Sequence, residues 1–363
     1  MKKTTLQDIA NSLGISRTTV WKVFSGHEGV SDALREKIIS RAHEMNYIFP
    51  TKSVFDDSLP KAAFALETGS KSGVGSVSGA TNIAVAVCRP ETSQFWMTII
   101  HQIAKEFSGK NVNLLYTYLP AAGSEEYMLP AALTNGTVNG IIIMNVYDEH
   151  LIRLLASLSV PKIFLDIPTN IEAGELNGDL LMMKNAPCTA EITRHLIWQG
   201  KTSLGFIGDI HYARSNYERF SGFIDTLKEH GLVFDPHLSL IGSIGADTYK
   251  DEIEEFVDRL PSMPEAFVCA SDHVAGILMS LLLAKGLRIP QDIMISGFDG
   301  NSENPFPVEL TTVQVYNYDI GRRLANQILY RIRYPHDQFM ESYIASRVLF
   351  RRSTEGQPSD RRA

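Results

Sequence analysis

The sequence predicts a small all-α helix-turn-helix domain at the N-terminus, followed by a larger α/β domain with two lobes, each built on a parallel sheet. Two observations support this fold class. In residues 5–24, apolar side chains recur at helical spacing on both sides of a glycine. From residue 82 onward, short apolar runs alternate with amphipathic segments, which is the pattern of parallel sheets covered by helices. This material divides into two sheets near residue 186.

The N-terminal stretch predicts two short helices that meet at a tight turn. Thr5 is placed to cap the first helix, with Asp8 three residues later in the capping-box position. Gly14 stands where a left-handed C-cap residue is needed, and Ser16 can cap the second helix. The side chains expected to face inward in the second helix are Val20, Val23 and Phe24.

Three polar side chains then point away from this predicted core, namely Arg17, Thr18 and Lys22. The major groove of DNA is wide enough for one helix and presents hydrogen-bonding groups to side chains of this kind. The sequence therefore favours a DNA-reading helix. An ordinary helical hairpin inside a larger domain is the alternative, since such shapes recur by chance.

A third helix is expected to begin at Ser31 and to complete a minimal three-helix core before residue 50. Residues 50–80 are rich in Gly, Ser, Pro and Lys, which predicts a linker. Within it, residues 60–66 could form a short helix on a partner. The glycines of residues 73–79 lack the spacing and the preceding strand of a phosphate-binding loop.

The charge is unevenly distributed along the 363 residues. The whole chain has a formal net charge of -7, with 44% apolar and 21% charged residues, which is ordinary globular composition. Residues 1–50, in contrast, hold seven Lys and Arg against five Asp and Glu. A mildly basic head on an acidic body fits a small DNA-reading module carried by a larger sensor or enzyme.

The cysteines and the N-terminus predict a cytoplasmic protein. Cys88, Cys188 and Cys269 are far apart in apolar surroundings, which is typical of buried free thiols in a reducing compartment. Zinc-ligand spacing is absent, and we expect neither a metal nor a cofactor. The first residues lack the apolar run of a secretory signal, and no apolar stretch is long enough to cross a membrane.

The larger domain is predicted from its alternating pattern. Strands are expected at 82–87, 112–119, 140–145, 162–166, 203–209, 238–242, 266–271 and 292–299, with a closing strand at 343–350. Helices are expected at 95–107, near 124–134, and at 150–158, 189–199, 217–230, 249–259, 274–285 and 320–331. Open α/β sheets bind ligands beyond the carboxyl ends of their strands, so two facing sheets predict a small-molecule site in the cleft between the lobes.

Polar and aromatic side chains stand at these strand ends. The candidates for the cleft are Phe95, Trp96, Asp166, Arg219, Ser271 and Asp299, with Asp209 and Asp272 nearby. Carboxylates and arginine hydrogen-bond hydroxyl groups, and aromatic faces stack on sugar rings, so the set suits a hydroxyl-rich ligand. Core packing is the alternative for Phe95 and Trp96, and helix capping is the alternative for Asp209 and Asp272.

Support for enzyme chemistry is weak. The sequence contains no G-x-S-x-G elbow, no H-E-x-x-H pair and no Walker loop. The ten histidines are scattered, and we assign no catalytic residue.

The motifs resemble those of the LacI/GalR family of bacterial transcription regulators from about residue 4 to residue 354. The most specific match is T-L-Q-D-I-A…G-I-S-R-T-T-V…V-S…R-E-K-I…N-Y within residues 5–47. Further matches are S-x-x-x-R-x-x-G-F at 215–223, A-S-D at 270–272, G-F-D at 297–299 and L-T-T-V at 310–313. The resemblance implies a helix-turn-helix head, a hinge and a two-lobed sensor domain like the periplasmic binding proteins.

The resemblance also implies roles for individual positions. Arg17, Thr18 and Lys22 would read bases. The residues expected to face the DNA backbone are Thr5, Ser16, Thr19, Trp21 and Ser31. The six cleft candidates match the effector contacts of the family: Phe95, Trp96, Asp166, Arg219, Ser271 and Asp299.

Several positions depart from the family pattern. Trp21 replaces a small hydroxyl residue, and Ser271 replaces the usual Asn of an N-D pair, which weakens its assignment as a ligand contact. The hinge departs most, because about ten extra residues precede the sequence Ala63-Phe64-Ala65-Leu66. Leu66 is the candidate for the side chain that wedges into the minor groove, and a disordered linker residue is the alternative.

The predicted domains are a DNA-binding head at 1–49, a linker or hinge at 50–80, an effector-binding domain at 81–353, and a disordered tail at 354–363. The N-lobe is expected to comprise about 81–186 plus 315–340, and the C-lobe about 187–314 plus 341–353. The resemblance implies a cytoplasmic, nucleoid-associated homodimer that represses carbohydrate-related genes, binds a palindromic operator and responds to a sugar or sugar derivative. The alternatives are a sugar-binding receptor of the same two-lobed fold without regulatory DNA binding, and an enzyme with a DNA-binding head.

Overall fold

The computed structural model describes residues 5–24, positions 30, 34, 37, 38, 41 and 45, and residues 80–88, 94–245, 248–300 and 306–355. The chain divides into two compact units, Met1–Val77 and Ser78–Ala363. In the described part of the chain, no helix is both long enough and apolar enough to cross a membrane.

The N-terminal unit contains helices α1 (Leu6–Leu13) and α2 (Arg17–Phe24). The predicted capping box is confirmed, since the backbone N–H of Thr5 donates to Asp8 Oδ2 at 2.8 Å and that of Asp8 donates to Thr5 Oγ1 at 3.3 Å. Gly14 ends α1 in the left-handed conformation, with φ of +66°, as predicted. Ser16 begins α2 by accepting from the backbone N–H of Thr19 at 3.0 Å.

A small apolar core holds this unit together. The buried side chains are Ile9, Ala10, Val20, Val23 and Ile38. Val20 and Val23 face inward from α2, as predicted, and Ile38 supplies a contact from the segment where the third helix is expected. Most of that segment, including Ser31, lies outside the described residues, as do the predicted linker and Leu66.

The N-lobe is built on a six-stranded parallel sheet, with strand order β10-β5-β4-β3-β1-β2. Its strands are β1 (Thr81–Val87), β2 (Val112–Tyr118), β3 (Gly140–Met144), β4 (Lys162–Leu165), β5 (Asp179–Met183) and β10 (Glu341–Ile344). The central strands β3, β4 and β5 are buried along their whole length. This continuous burial is what helices on both faces of a parallel sheet require.

Four helices belong to the N-lobe, namely α3 (Gln94–Phe107), α4 (Ala131–Thr134), α5 (Glu149–Ser157) and α10 (Asn317–Arg333). Helices α3 and α10 pack together at Gly321, where an added Cβ would lie 2.8 Å from the backbone oxygen of Ile99. The helix expected near 124–134 is reduced to the four residues of α4, because Pro130 lacks an N–H and the preceding residues are irregular.

The C-lobe is built on a three-stranded parallel sheet of β6 (Leu204–Ile207), β7 (Ala266–Cys269) and β8 (Met294–Ser296). Strands β9 (Thr312–Gln314) and β11 (Arg347–Leu349) form an antiparallel pair beside it. Its helices are α6 (Asn185–Trp198), α7 (Arg214–Glu229), α8 (Tyr249–Asp258) and α9 (Asp272–Ala284). A strand was expected at 238–242, but only an isolated bridge between Ile207 and Leu240 forms there.

The chain crosses between the lobes three times, between β5 and α6, between β9 and α10, and between β10 and β11. Near these crossings the sequence analysis missed one strand and misplaced another. Strand β5 was not predicted, because no helix separates it from β4 and the β-α-β pattern is interrupted there. The closing strand expected at 343–350 is two strands, and its first part, Glu341–Ile344, pairs with β5 in the N-lobe rather than joining the C-lobe.

The expected start of the tail is also corrected. Thr354 is fully buried, and its hydroxyl group lies 2.7 Å from that of Thr311. The neighbouring Ser353 donates to the backbone oxygen of Ile295 at 2.6 Å. These contacts extend the C-lobe through residue 354, and residues 356–363 lie outside the described part of the chain.

Candidate functional site

A buried arginine lies beside a carboxylate near the ends of strands β7 and β8 of the C-lobe sheet. Arg219 is 5% exposed and extends from the first half of α7. Its Nη1 atom lies 3.9 Å from Asp299 Oδ1, and its guanidinium carbon lies 3.7 Å above the centre of the Phe298 ring. Two hydrogen bonds fix the guanidinium, from Nε to Asn185 Oδ1 at 3.0 Å and from Nη1 to the backbone oxygen of Ala270 at 2.6 Å. The arginine is therefore held rigidly, as a preorganised site requires.

Asn185 links this arginine to a second carboxylate. Its side-chain nitrogen donates to Glu218 Oε2 at 2.8 Å and to the backbone oxygen of Met183 at 2.9 Å. Burial raises the pKa of Glu218, and the hydrogen bond from Asn185 opposes that rise. Asn185 is the first residue of α6 and lies next to the crossing from β5, so one side chain ties the cleft to the joint between the lobes.

The pKa of Asp299 is raised to about 6, because burial disfavours its charged form. The Arg219 charge and the backbone N–H of Asp272 oppose this shift and do not cancel it. The Asp299 side chain remains 23% exposed. It is therefore a carboxylate that can meet a ligand and that changes charge near neutral pH.

Backbone conformation is unusual at the strand ends that face the cleft. Among the described residues, four besides glycine have positive φ, and three of these follow strands of the two sheets: Asn145 at +55°, Asp166 at +64° and Asp299 at +120°. Such conformations cost about 1–3 kcal/mol each and are concentrated at functional sites. The side chains of Asp166 and Asp299 are aimed by this strained backbone.

Asp166 accepts hydrogen bonds from both lobes. Its Oδ2 accepts from the hydroxyl of Ser215 at 2.6 Å and from that of Tyr147 at 3.0 Å. Its Oδ1 accepts from the backbone N–H groups of Ile167 at 2.9 Å and Ser215 at 3.3 Å. Four donors match the acceptor sites of a carboxylate, so Asp166 is satisfied by the protein itself in this structure. Burial raises the pKa of Asp166, and the hydrogen bond from Ser215 is the largest opposing contribution.

The segment after β4 continues this contact between the lobes. The backbone N–H of Arg214 donates to the oxygen of Ile167 at 2.8 Å, and Pro168 forms a bridge with Ala213. Thr169 then donates to the backbone oxygen of Ile210 at 3.2 Å. Residues 166–169 of the N-lobe thus run beside residues 210–215 of the C-lobe, and any reorientation of the lobes must change these bonds.

The remaining predicted cleft residues make contacts within their own lobes. Phe95 and Trp96, at the start of α3, are half-buried and form an edge-to-face pair with ring centres 4.9 Å apart, and both pack against the apolar core. Ser271 caps α9 by accepting from the backbone N–H of Val274 at 3.2 Å. Helix capping therefore accounts for the position of Ser271. Phe95 and Trp96 pack against the core, which is the alternative role that the sequence left open for them.

The carboxylates of Asp209 and Asp272 both accept hydrogen bonds from other C-lobe residues. Asp209 accepts from the backbone N–H of His211 at 2.8 Å, which stabilises a turn rather than a helix cap. Asp272 is buried and accepts from the hydroxyl of Thr312 at 2.6 Å.

Sequence reasoning missed Tyr147, Asn185, Ser215 and Glu218. Tyr147 follows β3, so the rule about strand ends would have found it. Ser215 stands in the S-x-x-x-R motif that placed Arg219 in the cleft, and one helical turn separates the two. Asn185 and Glu218 carried no such signal, because their importance depends on the contact between α6 and α7.

In the N-terminal unit, the predicted DNA-facing side chains lie on the surface of α2. Arg17 and Thr18 are exposed, and Lys22 is half-buried. Ser16 and Thr19 share a hydrogen bond of 2.8 Å between their hydroxyl groups at the beginning of the helix, where backbone N–H groups favour anions. The backbone of Trp21 is helical, and its side chain lies outside the described residues.

Comparison with known proteins matches each of the two units to a domain family. Residues 5–49 match the family described as bacterial regulatory proteins of the lacI family, and residues 193–354 match the periplasmic binding protein-like domain. The transcriptional repressor PurR of Haemophilus influenzae strain PittEE is 23% identical over 360 residues, which cover 97% of this chain and 98% of PurR.

Two solved structures share the fold over nearly the whole chain. A transcriptional regulator CelR–cellobiose complex has a TM-score of 0.67 and 21% identity, covering 97% of this chain and 100% of that chain. A lac repressor dimer bound to operator and the anti-inducer ONPF has a TM-score of 0.64 and 20% identity, covering 98% and 100%.

Together, the capped helix pair and the two-lobed α/β unit define a helix-turn-helix protein with a periplasmic-binding-protein-like domain. Residues 5–49 therefore carry a DNA-binding domain of the lacI family of bacterial regulatory proteins, and residues 193–354 carry a periplasmic binding protein-like domain.

Proposed function

We propose that the protein is a sequence-specific DNA-binding repressor of carbohydrate-related genes, and that a sugar or sugar derivative in the cleft changes its affinity for the operator. One observation carries the proposal: a helix with exposed Arg17 and Thr18 belongs to the same chain as a cleft with a rigidly held Arg219 beside Asp299. The first feature suits base edges and phosphates, and the second suits a ligand with hydroxyl groups.

In this proposal, Arg17, Thr18 and Lys22 read bases in the major groove. The backbone-facing residues are Thr5, Ser16, Thr19, Trp21 and Ser31. Leu66 is the side chain proposed to wedge into the minor groove. A single head of this size buries little surface against DNA, so the protein acts as a homodimer on a palindromic operator. It acts in the cytoplasm, where the chromosome lies.

The cleft residues act in two groups. Arg219 and Asp299 contact the sugar hydroxyl groups, while Phe95 and Trp96 supply apolar faces and Ser271 lies at the edge. Asp166 was predicted to contact the effector, and its four satisfied acceptor sites support a different role, in which it joins the lobes through Ser215. The ligand then shifts the balance between lobe orientations, and about 1–3 kcal/mol of coupling makes a useful switch.

The solved CelR–cellobiose complex has the same fold as this chain and contains a sugar, which supports the proposal of a carbohydrate ligand. We assign no catalytic residue and no cofactor. Among the described residues, no group of three or more His, Cys, Asp and Glu side chains could hold a metal ion.

The DNA-binding proposal is tested by selecting an operator from random DNA with the purified protein and measuring affinity by fluorescence anisotropy. Arg17→Ala should weaken binding to the selected site by about 10–100-fold and reduce discrimination against random DNA. Lys37→Ala is the matched control, because Lys37 is exposed in the same unit and carries the same charge. Its loss should leave the ratio of specific to random affinity unchanged.

If no sequence is enriched and Arg17→Ala changes nothing, the helix pair is not a DNA reader. A chain that then still binds sugars would be a sugar-binding receptor of the same fold. Turnover of any bound ligand would instead identify an enzyme.

A further inference from the structure

A cavity of about 320 Å³ opens on the N-lobe, at the edge of the sheet where the strands begin. Its lining comes from the end of α5, from Lys162 at the start of β4, from the turn before β5 and from the segment after α10. Asp166 follows the opposite end of β4, so this cavity is separate from the candidate sugar site. Its volume lies at the lower end of the range for small-molecule sites, which is about 300–1,000 Å³.

Lys162 brings a buried positive charge to this cavity. The residue is 2% exposed. Its Nζ atom donates to the backbone oxygens of Leu158 at 2.6 Å, Asn177 at 3.1 Å and Ala156 at 3.3 Å, and all three of these residues line the cavity. Burial lowers the pKa of Lys162 to about 8, and no carboxylate of the described residues opposes that shift. Buried charges are ordinarily paired, so this ammonium group lacks a counter-charge.

The three carbonyl groups also give Lys162 a structural role. Ala156 and Leu158 lie at the end of α5, where backbone oxygens favour a cation. Carbonyl dipoles supply no net negative charge, however, and the lowered pKa shows that burial still disfavours the ammonium group. An anion that enters the cavity would supply the missing charge.

The second cation of the cavity, Arg331, is already neutralised. It is 1% exposed, and its Nη2 atom donates to Asp179 Oδ1 at 2.6 Å and to the backbone oxygen of Gln338 at 2.8 Å. The positive charge of Arg331 and the negative charge of Asp179 offset each other. The excess positive charge of the cavity is therefore that of Lys162.

Apolar side chains form much of the remaining lining, namely Leu158, Val160, Pro161, Pro335 and Phe339. Phe339 is 54% exposed, and its ring centre lies 5.2 Å from the guanidinium carbon of Arg331. Ser159 and Asn177 are exposed at the rim and add polar side chains that can donate hydrogen bonds. A buried cation beside apolar surfaces suits an anion with an apolar body better than a bare inorganic ion.

We propose that this cavity binds a small organic anion, a carboxylate with an apolar body. The carboxylate pairs with Lys162, and the apolar body lies against Phe339 and the neighbouring apolar side chains. The ligand thereby joins the end of α5 to the segment after α10. This site goes beyond the proposed function, because it lies at the opposite ends of the strands from Asp166 and requires no sugar.

The test is a titration of the full-length protein with benzoate, followed by saturation-transfer NMR, with neutral benzamide for comparison. We expect benzoate to bind with a millimolar dissociation constant and benzamide to bind about tenfold more weakly. Lys162→Met keeps the length of the side chain, removes its charge and should weaken benzoate binding about tenfold. Lys201→Met is the control, because Lys201 lies 3.8 Å from Glu265 in the C-lobe and does not line the cavity.

A second variant tests the apolar wall and leaves Lys162 in place. Phe339→Ala changes an exposed position, so it decides the question if Lys162→Met does not fold. It should weaken benzoate binding about fivefold, since part of the apolar contact is lost. Phe350→Ala is the matched control, because Phe350 is 39% exposed and lies outside the cavity.

Three results would overturn the anion site. One is equal affinity of the wild type for benzoate and benzamide, which would show that the charge is not recognised. Another is unchanged benzoate affinity in either folded variant, Lys162→Met or Phe339→Ala. The third is the absence of benzoate binding at millimolar concentration. Each of these results leaves sugar binding and operator binding as separate questions.

Discussion

The hydroxyl group of Ser215, in the C-lobe, donates a 2.6 Å hydrogen bond to the carboxylate of Asp166, in the N-lobe. Both groups are buried, at 5% and 3% exposure. The backbone of Asp166 has a φ of +64°, so the residue is held in an unfavourable conformation at the position where this bond is made. The contact therefore couples the strained end of β4 to the beginning of α7, the helix that also carries Arg219.

Ser215→Ala should destabilise the protein, because it leaves a buried carboxylate with one fewer donor. We expect a loss of about 1.5–3 kcal/mol in the free energy of unfolding, measured with urea at pH 7. Ser221→Ala is the control, since its hydroxyl donates to the backbone oxygen of Tyr217 on the exposed side of the same helix. If Ser215→Ala and Ser221→Ala lower the free energy of unfolding equally, the hydrogen bond between the lobes contributes no more than a surface hydrogen bond does.

Asp299→Asn should alter how stability depends on pH. The folded-state pKa of Asp299 is about 6 and its ordinary value is 3.8, so between these values the folded protein binds more protons than the unfolded chain. This group therefore makes wild-type stability fall as pH rises through that window. Asn does not titrate, and the variant should gain up to about 3 kcal/mol relative to wild type between pH 4 and pH 7. If the free energy of unfolding depends on pH in the same way in Asp299→Asn and the wild type, the pKa of Asp299 is not raised in the folded protein.

Ligand affinity should depend on the same ionisation. A sugar hydroxyl donates a stronger hydrogen bond to an ionised carboxylate than to a protonated one, so affinity in the wild type should fall as pH decreases below about 6. Calorimetry across pH 5–8 measures this dependence. If Asp299→Asn keeps the same profile, another group is responsible.

Arg219→Lys should remove the contacts that the planar guanidinium makes and keep its positive charge. Lysine cannot donate to both Asn185 and the oxygen of Ala270 while lying flat on Phe298, as the guanidinium does. We expect sugar affinity to fall at least tenfold, measured by calorimetry. Arg194→Lys, at a partly exposed position of α6 where the side chain lies 3.6 Å from Glu229, should leave sugar affinity unchanged. If Arg219→Lys binds the sugar as tightly as the wild type does, the paired N–H donors of the guanidinium have no role in binding.

Leu66→Ala tests the linker prediction made from the sequence. If Leu66 wedges into the minor groove, the variant should bend the operator less than wild type does, by an electrophoretic phasing assay. Unchanged bending would remove Leu66 from the interface.

Local signals made most of the architecture predictable. Thr5, Asp8, Gly14 and Ser16 specify the ends of two helices by short-range hydrogen bonds and backbone preference, and the structure follows them. The buried strands were predictable because apolar runs such as residues 140–144 suit a sheet covered on both faces. Strand β5 and the pairing of Glu341–Ile344 were not, since both depend on contacts between distant segments.

The same distinction applies to the cleft. Asp299 and Arg219 could be placed near one another from strand ends and a motif, and they lie 3.9 Å apart. The satisfaction of Asp166 by Ser215 and Tyr147 could not be predicted, because it depends on how the lobes meet. The sequence predicts a ligand contact at Asp166, and its hydrogen bonds to Ser215 and Tyr147 support the proposal that it joins the lobes.

The most direct test of the central claim is a titration of labelled selected operator with the protein, with and without a saturating sugar identified by calorimetry. We predict salt-dependent, sequence-specific binding whose dissociation constant changes by about 5–150-fold, in either direction, when the sugar is present. If the sugar binds in the cleft and the operator affinity stays the same, the cleft does not control the DNA-binding head, and the account of a ligand-responsive repressor is wrong.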